Sequence, residues 1–270
     1  MVYFPQVNAN LIITQSPYGT SSEFENVSVP METGMVWSFP LRGPGLSGYP
    51  TGPLGKFNVN FSNISDAEVN VLYAFFQSMR GKWGSFRFLD PNGNLLQYSQ
   101  DFTNAAWVKT LTVTTGQPDP SGHTLGCSLT AGHMQSVAGP SDGGMSGFVM
   151  CASIWLKAVS GSVTATIGFI DETTSTAYTQ QFTVASGAWT RISKNLVLPT
   201  GNQFVFYLNL SGSVYGFGAQ VSPMKAEGSY ACTPGSFGYH ANCRFDTDVF
   251  NVQVVGPNQN QLQLPIQETN

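Results

Sequence analysis

The sequence predicts a mainly β protein, in which a discontinuous β-rich domain with one amphipathic helix is interrupted by an inserted antiparallel β-sandwich of jelly-roll type. Three observations predict it. Turn formers are plentiful, with 29 Gly and 16 Pro in 270 residues, and aromatics reach 13%, which suits short strands joined by tight connections. Period-two alternation recurs through the middle of the chain, whereas helical spacing occurs once. Residues 240–270 hold strands but are too few to bury a core alone, so they complete a domain begun earlier.

The helix is expected at residues 66–80. Ser65 and Glu68 make an S-x-x-E capping box, with Ile64 and Val69 placed as a hydrophobic staple. Val69, Leu72, Phe75, Phe76 and Met79 recur at helical spacing, and Gly81 stops the run. Strands are expected around it at 35–41, 56–61 and 84–90, with a Gly/Pro-rich loop at 42–55. Pro91-Asn92-Gly93-Asn94 is a strong turn, after which the texture changes. From there to about residue 234 the sequence predicts strands only, at 108–114, 147–157, 162–170, 177–184, 189–198, 203–210 and 215–221. Met150, Ala152, Ile154 and Leu156 form one apolar parity; Val163, Ala165, Ile167 and Phe169 form another, as do Tyr178, Phe182 and Val184. Seven such strands fill a sandwich. The domains are therefore 1–93 with 240–270, and 94–239 as the insert, which brings residues 85–89 beside 244–249.

Charge excludes several classes. Only 10% of residues are charged and the net charge is −4, against roughly 25% charged residues in ordinary soluble domains. With no basic run, nucleic-acid binding is not expected. No apolar stretch is long enough to span a bilayer, and Met1 to Asn10 show no signal-peptide pattern. The four cysteines, Cys127, Cys151, Cys232 and Cys243, lack metal-ligand spacing and are read as reduced, mostly buried thiols.

Motifs that resemble catalytic signatures lack the required context. Gly43-Pro44-Gly45-Leu46-Ser47-Gly48 matches G-x-G-x-x-G, but the prolines after it forbid the helix that would hold a phosphate. Gly139-Pro140-Ser141-Asp142-Gly143 matches G-x-S-x-G without a following helix. His123, His133 and His240 fall in predicted loops, and Asp246 with Asp248 is expected on one strand face, paired with Arg244, Arg80 or Arg87. A glycosidase needs two carboxylates roughly 5–10 Å apart, and the insert's acids form no obvious pair. No enzyme activity, metal or cofactor is expected.

Two segments resemble known families. Residues 57–91, with Ser65-Asp66-Ala67-Glu68, Phe75-Phe76, Met79-Arg80-Gly81 and Phe86-Arg87-Phe88-Leu89-Asp90-Pro91, resemble the distal tail proteins of long-tailed phages and gene transfer agents. So do Arg244-Phe245-Asp246-Thr247-Asp248 and Pro265-Ile266-Gln267-Glu268, with Phe4-Pro5 a looser fit. Asn94-Leu95-Leu96 through Phe102, Asn104, Ala105, Trp107 and Lys109, with Gly218-Ala219-Gln220-Val221 and Gly228-Ser229-Tyr230, resemble a carbohydrate-binding jelly roll recurrent in phage tail proteins; Gln100 replaces its usual Glu. The resemblance implies a virion tail protein made in the host cytoplasm. It would form a homo-oligomeric ring, usually a hexamer, joining the tail tube protein to the tip or baseplate hub, with the insert displayed for adhesion to host-surface glycans. The alternatives are a lectin-like protein acting outside a virion, or a sandwich glycan hydrolase.

Sugars are held by aromatic rings stacked on their C–H faces and by planar amides. The candidate carbohydrate-binding residues are Trp155, which sits on the polar parity of its strand, and Tyr207 and Asn209, which oppose the apolar parity of theirs. If these strands share a sheet, the three line one face; the competing reading has Trp155 covering a second apolar layer under a loop. Trp107 and Trp189 are expected in the core.

Overall fold

A computed structural model of the chain describes residues 2–7, 10–16, 56–91, 93–137, 145, 147–199, 203–233 and 239–269. The expected strand at 35–41, the loop at 42–55 and the G-x-S-x-G match at 139–143 lie outside them. The chain is mainly β. Its strands in order are β1 (Asn10–Ser16), β2 (Lys56–Ile64), β3 (Phe86–Leu89), β4 (Trp107–Lys109), β5 (Val113–Gln117), β6 (Gly126–Leu129), β7 (Gly132–Ser136) and β8 (Val149–Ala158). There follow β9 (Ser162–Asp171), β10 (Thr176–Ala185), β11 (Thr190–Val197), β12 (Phe204–Leu210), β13 (Val214–Ser222), β14 (Tyr239–Phe245), β15 (Val252–Gly256) and β16 (Gln259–Glu268). Among the described residues a helix, α1 (Asp66–Met79), lies between β2 and β3. The chain divides into two compact units, Met1–Phe88 with His240–Asn270, and Leu89–Tyr239.

In the first unit α1 begins as its sequence dictates. Ser65 Oγ accepts the Glu68 amide at 3.2 Å and Glu68 Oε2 accepts the Ser65 amide at 2.8 Å, so two otherwise orphaned donors are satisfied reciprocally. The helix ends at Met79, one residue short of the expected end, because Arg80 itself takes the left-handed conformation (φ 53°) and Gly81 follows at φ 59°. The sheet runs β1-β2-β16-β14-β3, with β15 also paired to β16. Its central strand thus comes from the end of the sequence, and Ile266 sits between Phe57 and Phe245 in register. The rings of Phe86 and Phe245 meet at a tilt of 52° with centroids 4.9 Å apart. The N-terminal strip closes the β3 edge: the Phe4 amide donates to Arg87 O and the Arg87 amide to Val2 O, both at 2.8 Å. Phe4 then meets the rings of Phe61, Phe75, Phe86, Phe88 and Phe245 at 5.7–6.3 Å. Except for the half-buried Phe75, each of these rings contributes about 1.5–3 kcal/mol of transfer free energy, so this aromatic cluster, with Leu72, Leu264 and Ile266, is the unit's core.

The second unit is an antiparallel sandwich of two five-stranded sheets, β10-β9-β12-β7-β4 and β11-β8-β13-β6-β5. The alternating apolar parities of β8, β9 and β12 point inward as the sequence requires, and Met150, Ile154, Ile167, Phe169, Phe206 and Leu208 are fully buried. The unit's two ends are tied to one another. Asn94, fully buried, accepts the amides of Leu96 and Val221 and donates to the carbonyls of Ala219 and Ala231, all at 2.9–3.1 Å. Ser99 Oγ accepts the Thr233 amide at 2.9 Å and lies 2.8 Å from Tyr230 Oη, while Thr233 Oγ1 donates to Leu96 O. The motif residues at the start and end of the insert are therefore its closure. Between Phe217 and Gln220 the β13 register shifts; Gly218 takes φ 64° there, and any Cβ would lie 3.0 Å from the Tyr230 ring.

Several expectations are corrected. The expected strand at 108–114 is two strands, β4 and β5, and β1, β6 and β7 were not anticipated. Trp107 is buried as expected, but Trp189 is only half-buried. Asp246 and Asp248 follow the end of β14 instead of lying on it. Asp246 reaches Lys56 Nζ at 3.9 Å, and Asp248 accepts the Lys82 amide at 3.0 Å, so the expected arginine pairing is replaced by lysine contacts. His133 and His240 lie on β7 and β14, not in loops.

Candidate functional site

Alternation along β12 turns Phe204, Phe206, Leu208 and Leu210 inward, which leaves Tyr207 and Asn209 on the outer face. Register fixes their neighbours. Tyr207 stands between Gln135 on β7 and Gly168 on β9, and Asn209 between His133 and Thr166. Thr179 and Gln181 on β10 extend the two rows beyond Gly168 and Thr166. The His133 ring stacks against Tyr207 with centroids 6.2 Å apart and planes 26° from parallel. His133 is held from the other side by Thr110, whose hydroxyl accepts the His133 amide at 3.0 Å and lies 3.1 Å from Nδ1. Gly168 leaves the flank of Tyr207 without a side chain: a Cβ there would stand 2.2 Å from Tyr178 O, so the local backbone admits only glycine.

This face therefore offers an oriented aromatic ring, carboxamides from Asn209, Gln135 and Gln181, and hydroxyls from Thr166 and Thr179. None of these positions carries a formal charge. Flat ring plus planar amides is the chemistry that holds the C–H face and hydroxyls of a neutral sugar.

Trp155 lies elsewhere. Its strand β8 pairs with β11 and β13, in the sheet that does not contain β12, so Trp155, Tyr207 and Asn209 do not line one face. Alternation reveals which parity faces the core but not which sheet a strand joins. Trp155 stands between Arg191 and Phe217 in register, with the Arg191 guanidinium 5.9 Å from its ring. Arg191 also donates to Gly228 O at 2.7 Å, Ser153 Oγ at 3.1 Å and Gln220 Oε1 at 3.0 Å. Gln220 Nε2 passes the network on to Ser222 Oγ and Ser229 O. Ser193 Oγ donates to Glu227 Oε2 at 2.7 Å, and that bond holds the Glu227 carboxyl below its usual range. The segment after β13 is thus pinned over this sheet, and Trp155 belongs to the layer beneath it.

Two of the insert's acids hold turns. Burial alone would raise the Asp119 carboxyl, but the amides of Ser121, Leu125 and His123 outweigh it and hold the group below its ordinary value. Asp171 accepts the amides of Thr173 and Thr174 and the Thr174 hydroxyl. All four cysteines are unpaired, with three buried. Burial pushes Cys151 up to about 11, helped by the Glu227 charge, and raises Cys127 and Cys243 as well. These thiols are protonated at neutral pH and are poor nucleophiles. Among the described residues no three His, Cys, Asp or Glu side chains converge as a metal site.

No family model matches the chain, and no curated protein matches it in sequence. Solved structures similar to part of it include the enzymatically active domain of tailspike protein 4 from bacteriophage CBA120, at 18% identity and TM-score 0.39, covering 50% of this chain and 22% of that one. A xylan-binding CBM22-1 domain from Paenibacillus barcinonensis is similar at 13% identity and TM-score 0.36, over 48% of this chain and 94% of that domain. A CBM22-1 and GH10 xylanase from Clostridium thermocellum is similar at 15% identity and TM-score 0.34, over 48% of this chain and 27% of that one.

Proposed function

We propose that this chain is a structural, non-enzymatic component of a phage tail. The first unit would form a ring at the distal end of the tail tube, hexameric by the resemblance, between the tube protein and the tip hub. The insert would present the Tyr207 face to host-surface glycans. One observation carries the reading: the segments with the tail-protein letters, from both ends of the sequence, build one sheet and one core. Phe57, Phe86, Phe245 and Ile266 are buried together there, while the insert's own motif residues bind its ends to each other. A module so closed can interrupt a ring domain without disturbing the contacts through which a heterologous ring closes.

Mass and shape test this directly. Light scattering and negative-stain images of the purified protein should give a closed ring of defined stoichiometry, and a monomer at all concentrations refutes it. The second reading, a glycan-binding protein acting outside a virion, is favoured by the neutral Tyr207 face alone and predicts that monomer. For the sugar site, Tyr207→Ala should abolish binding on an array of uncharged glycans while Trp155→Ala retains it; equal loss from both would refute the assignment.

A further inference from the structure

Beside Tyr207 the hydrogen-bond partners of one imidazole fix where its hydrogen sits. Thr110, just past β4, donates its backbone amide to His133 O at 2.9 Å, so the two residues face each other across the strand pair. Their side chains meet as well. Thr110 Oγ1 accepts the His133 amide at 3.0 Å and lies 3.1 Å from His133 Nδ1. The residue before the histidine permits this approach: a Cβ on Gly132 would stand 2.9 Å from Thr110 Oγ1 and displace the hydroxyl.

A hydroxyl has one hydrogen to give and two lone pairs to offer. The His133 amide takes a lone pair of Thr110 Oγ1, and among the described residues Nδ1 is the acceptor within reach of the hydroxyl hydrogen. In the opposite tautomer an Nδ1–H and the amide N–H would both aim at one oxygen, and the hydroxyl hydrogen would lose its protein partner. The neutral ring therefore accepts at Nδ1 and carries its own hydrogen on Nε2. Nε2 has no partner among the described residues and is not a buried atom, so it opens to solvent. The ring lies beside Tyr207, with centroids 6.2 Å apart and planes 26° from parallel, and Asn209 stands opposite His133 in register. A sugar stacked on Tyr207 brings the oxygens of its rim to the neighbouring imidazole edge. The amides of Asn209 and Gln135 can turn either an oxygen or an NH2 toward it, whereas His133 offers a donor only.

We infer that His133 Nε2–H donates a hydrogen bond to an oxygen of the neutral sugar held on Tyr207, and that Thr110 is the positioning residue that fixes this tautomer. The inference rests on the Tyr207-face reading above and adds a contact to it. Solid-state 15N NMR of the full-length protein labelled at histidine, of which the chain has three, reads the tautomer with no sugar present. The His133 signals, assigned by their loss in His133→Phe, should show a bare Nδ1 and a protonated Nε2. Thr110→Ser should keep that pattern and Thr110→Val should mix the two tautomers. On an array of uncharged glycans Thr110→Ser should bind as wild type does. His133→Phe keeps a ring against Tyr207 without the donor, and should bind roughly tenfold more weakly, the loss of one hydrogen bond; Thr110→Val should fall between the two. A wild-type imidazole with its hydrogen on Nδ1, or a Thr110→Val tautomer identical to wild type, overturns the role of Thr110 and leaves the Tyr207 reading standing. If His133→Phe binds as tightly as wild type while Tyr207→Ala does not bind, the His133 contact is overturned alone. A wild type that retains no glycan overturns the sugar-face reading and this contact together.

Discussion

Replacing Asn94 with alanine should release the clamp that closes the insert. The side chain has no solvent exposure and uses all four of its hydrogen-bonding capacities on backbone groups of three separate segments. Truncation strands the amides of Leu96 and Val221 and the carbonyls of Ala219 and Ala231. A buried group left unsatisfied costs about 1–3 kcal/mol. The two amides alone therefore cost about 2–6 kcal/mol, and water reaching the half-buried Ala231 lightens the carbonyl share. A loss of about 3–5 kcal/mol is expected, a large part of the roughly 5–15 kcal/mol that holds a domain folded. Because two units can unfold separately, a single melting temperature is a poor measure. Native-state hydrogen exchange should show protection falling first at Leu96 and Val221 and then, by the full amount, at Phe206 and Ile154 in the sandwich interior. Protection at those interior amides reduced by less than about 1 kcal/mol would refute the clamp.

Three further outcomes are expected. The Asp119 carboxyl is lower in the folded state than unfolded, so its contribution is complete above about pH 4 and is lost as pH falls through the lowered value; exchange protection of the amides of Ser121, His123 and Leu125 should drop there, and Asp119→Asn should remove that pH dependence. Gly168→Ala forces a Cβ onto Tyr178 O and should destabilise the insert by about 2–4 kcal/mol, read by urea denaturation, combining backbone strain with steric overlap. Excision of residues 94–239 behind a short Gly/Ser linker should leave a soluble protein with the first unit's amide spectrum intact, since the aromatic core of that unit draws only on residues outside the excised stretch; an unfolded product would show that the two units are not independent.

Much of this was legible in the letters because local chemistry decided it. The S-x-x-E box set the start of α1, and unbroken apolar parities in β8, β9 and β12 declared their buried faces. Other features depended on partners distant in sequence. β6 and β7 are short, open on glycine and carry few inward apolar residues, so no strand was expected there; a Cβ on Gly126 would lie 2.2 Å from Pro118 O, and one on Gly132 2.9 Å from Thr110 Oγ1. Half of the candidate site was readable, in that Tyr207 and Asn209 do share an outer face. Trp155 was misplaced with them because parity along β8 is the same whichever sheet the strand enters. His133, Gln135 and Thr166 were missed altogether: each is unremarkable alone and acquires meaning only from cross-strand register. The sole clue in the letters was Gly168, an otherwise costly glycine within an apolar strand.

The position of β16 dictates a timetable for the newborn chain. Ribosomes work from the N-terminus at roughly 5–20 residues per second, so β2, α1 and β3 emerge well before the strand that lies between β2 and β14 in the finished sheet. For roughly ten to thirty seconds, while the intervening module is synthesised, Phe57, Phe61 and Phe86 wait without the Leu264 and Ile266 that will cover them. The interrupting module can fold as soon as its closing residues appear, but its host cannot. Loss of the final dozen residues would consequently spare the guest and leave the host an open, sticky half-sheet, a substrate for chaperones rather than a competent subunit.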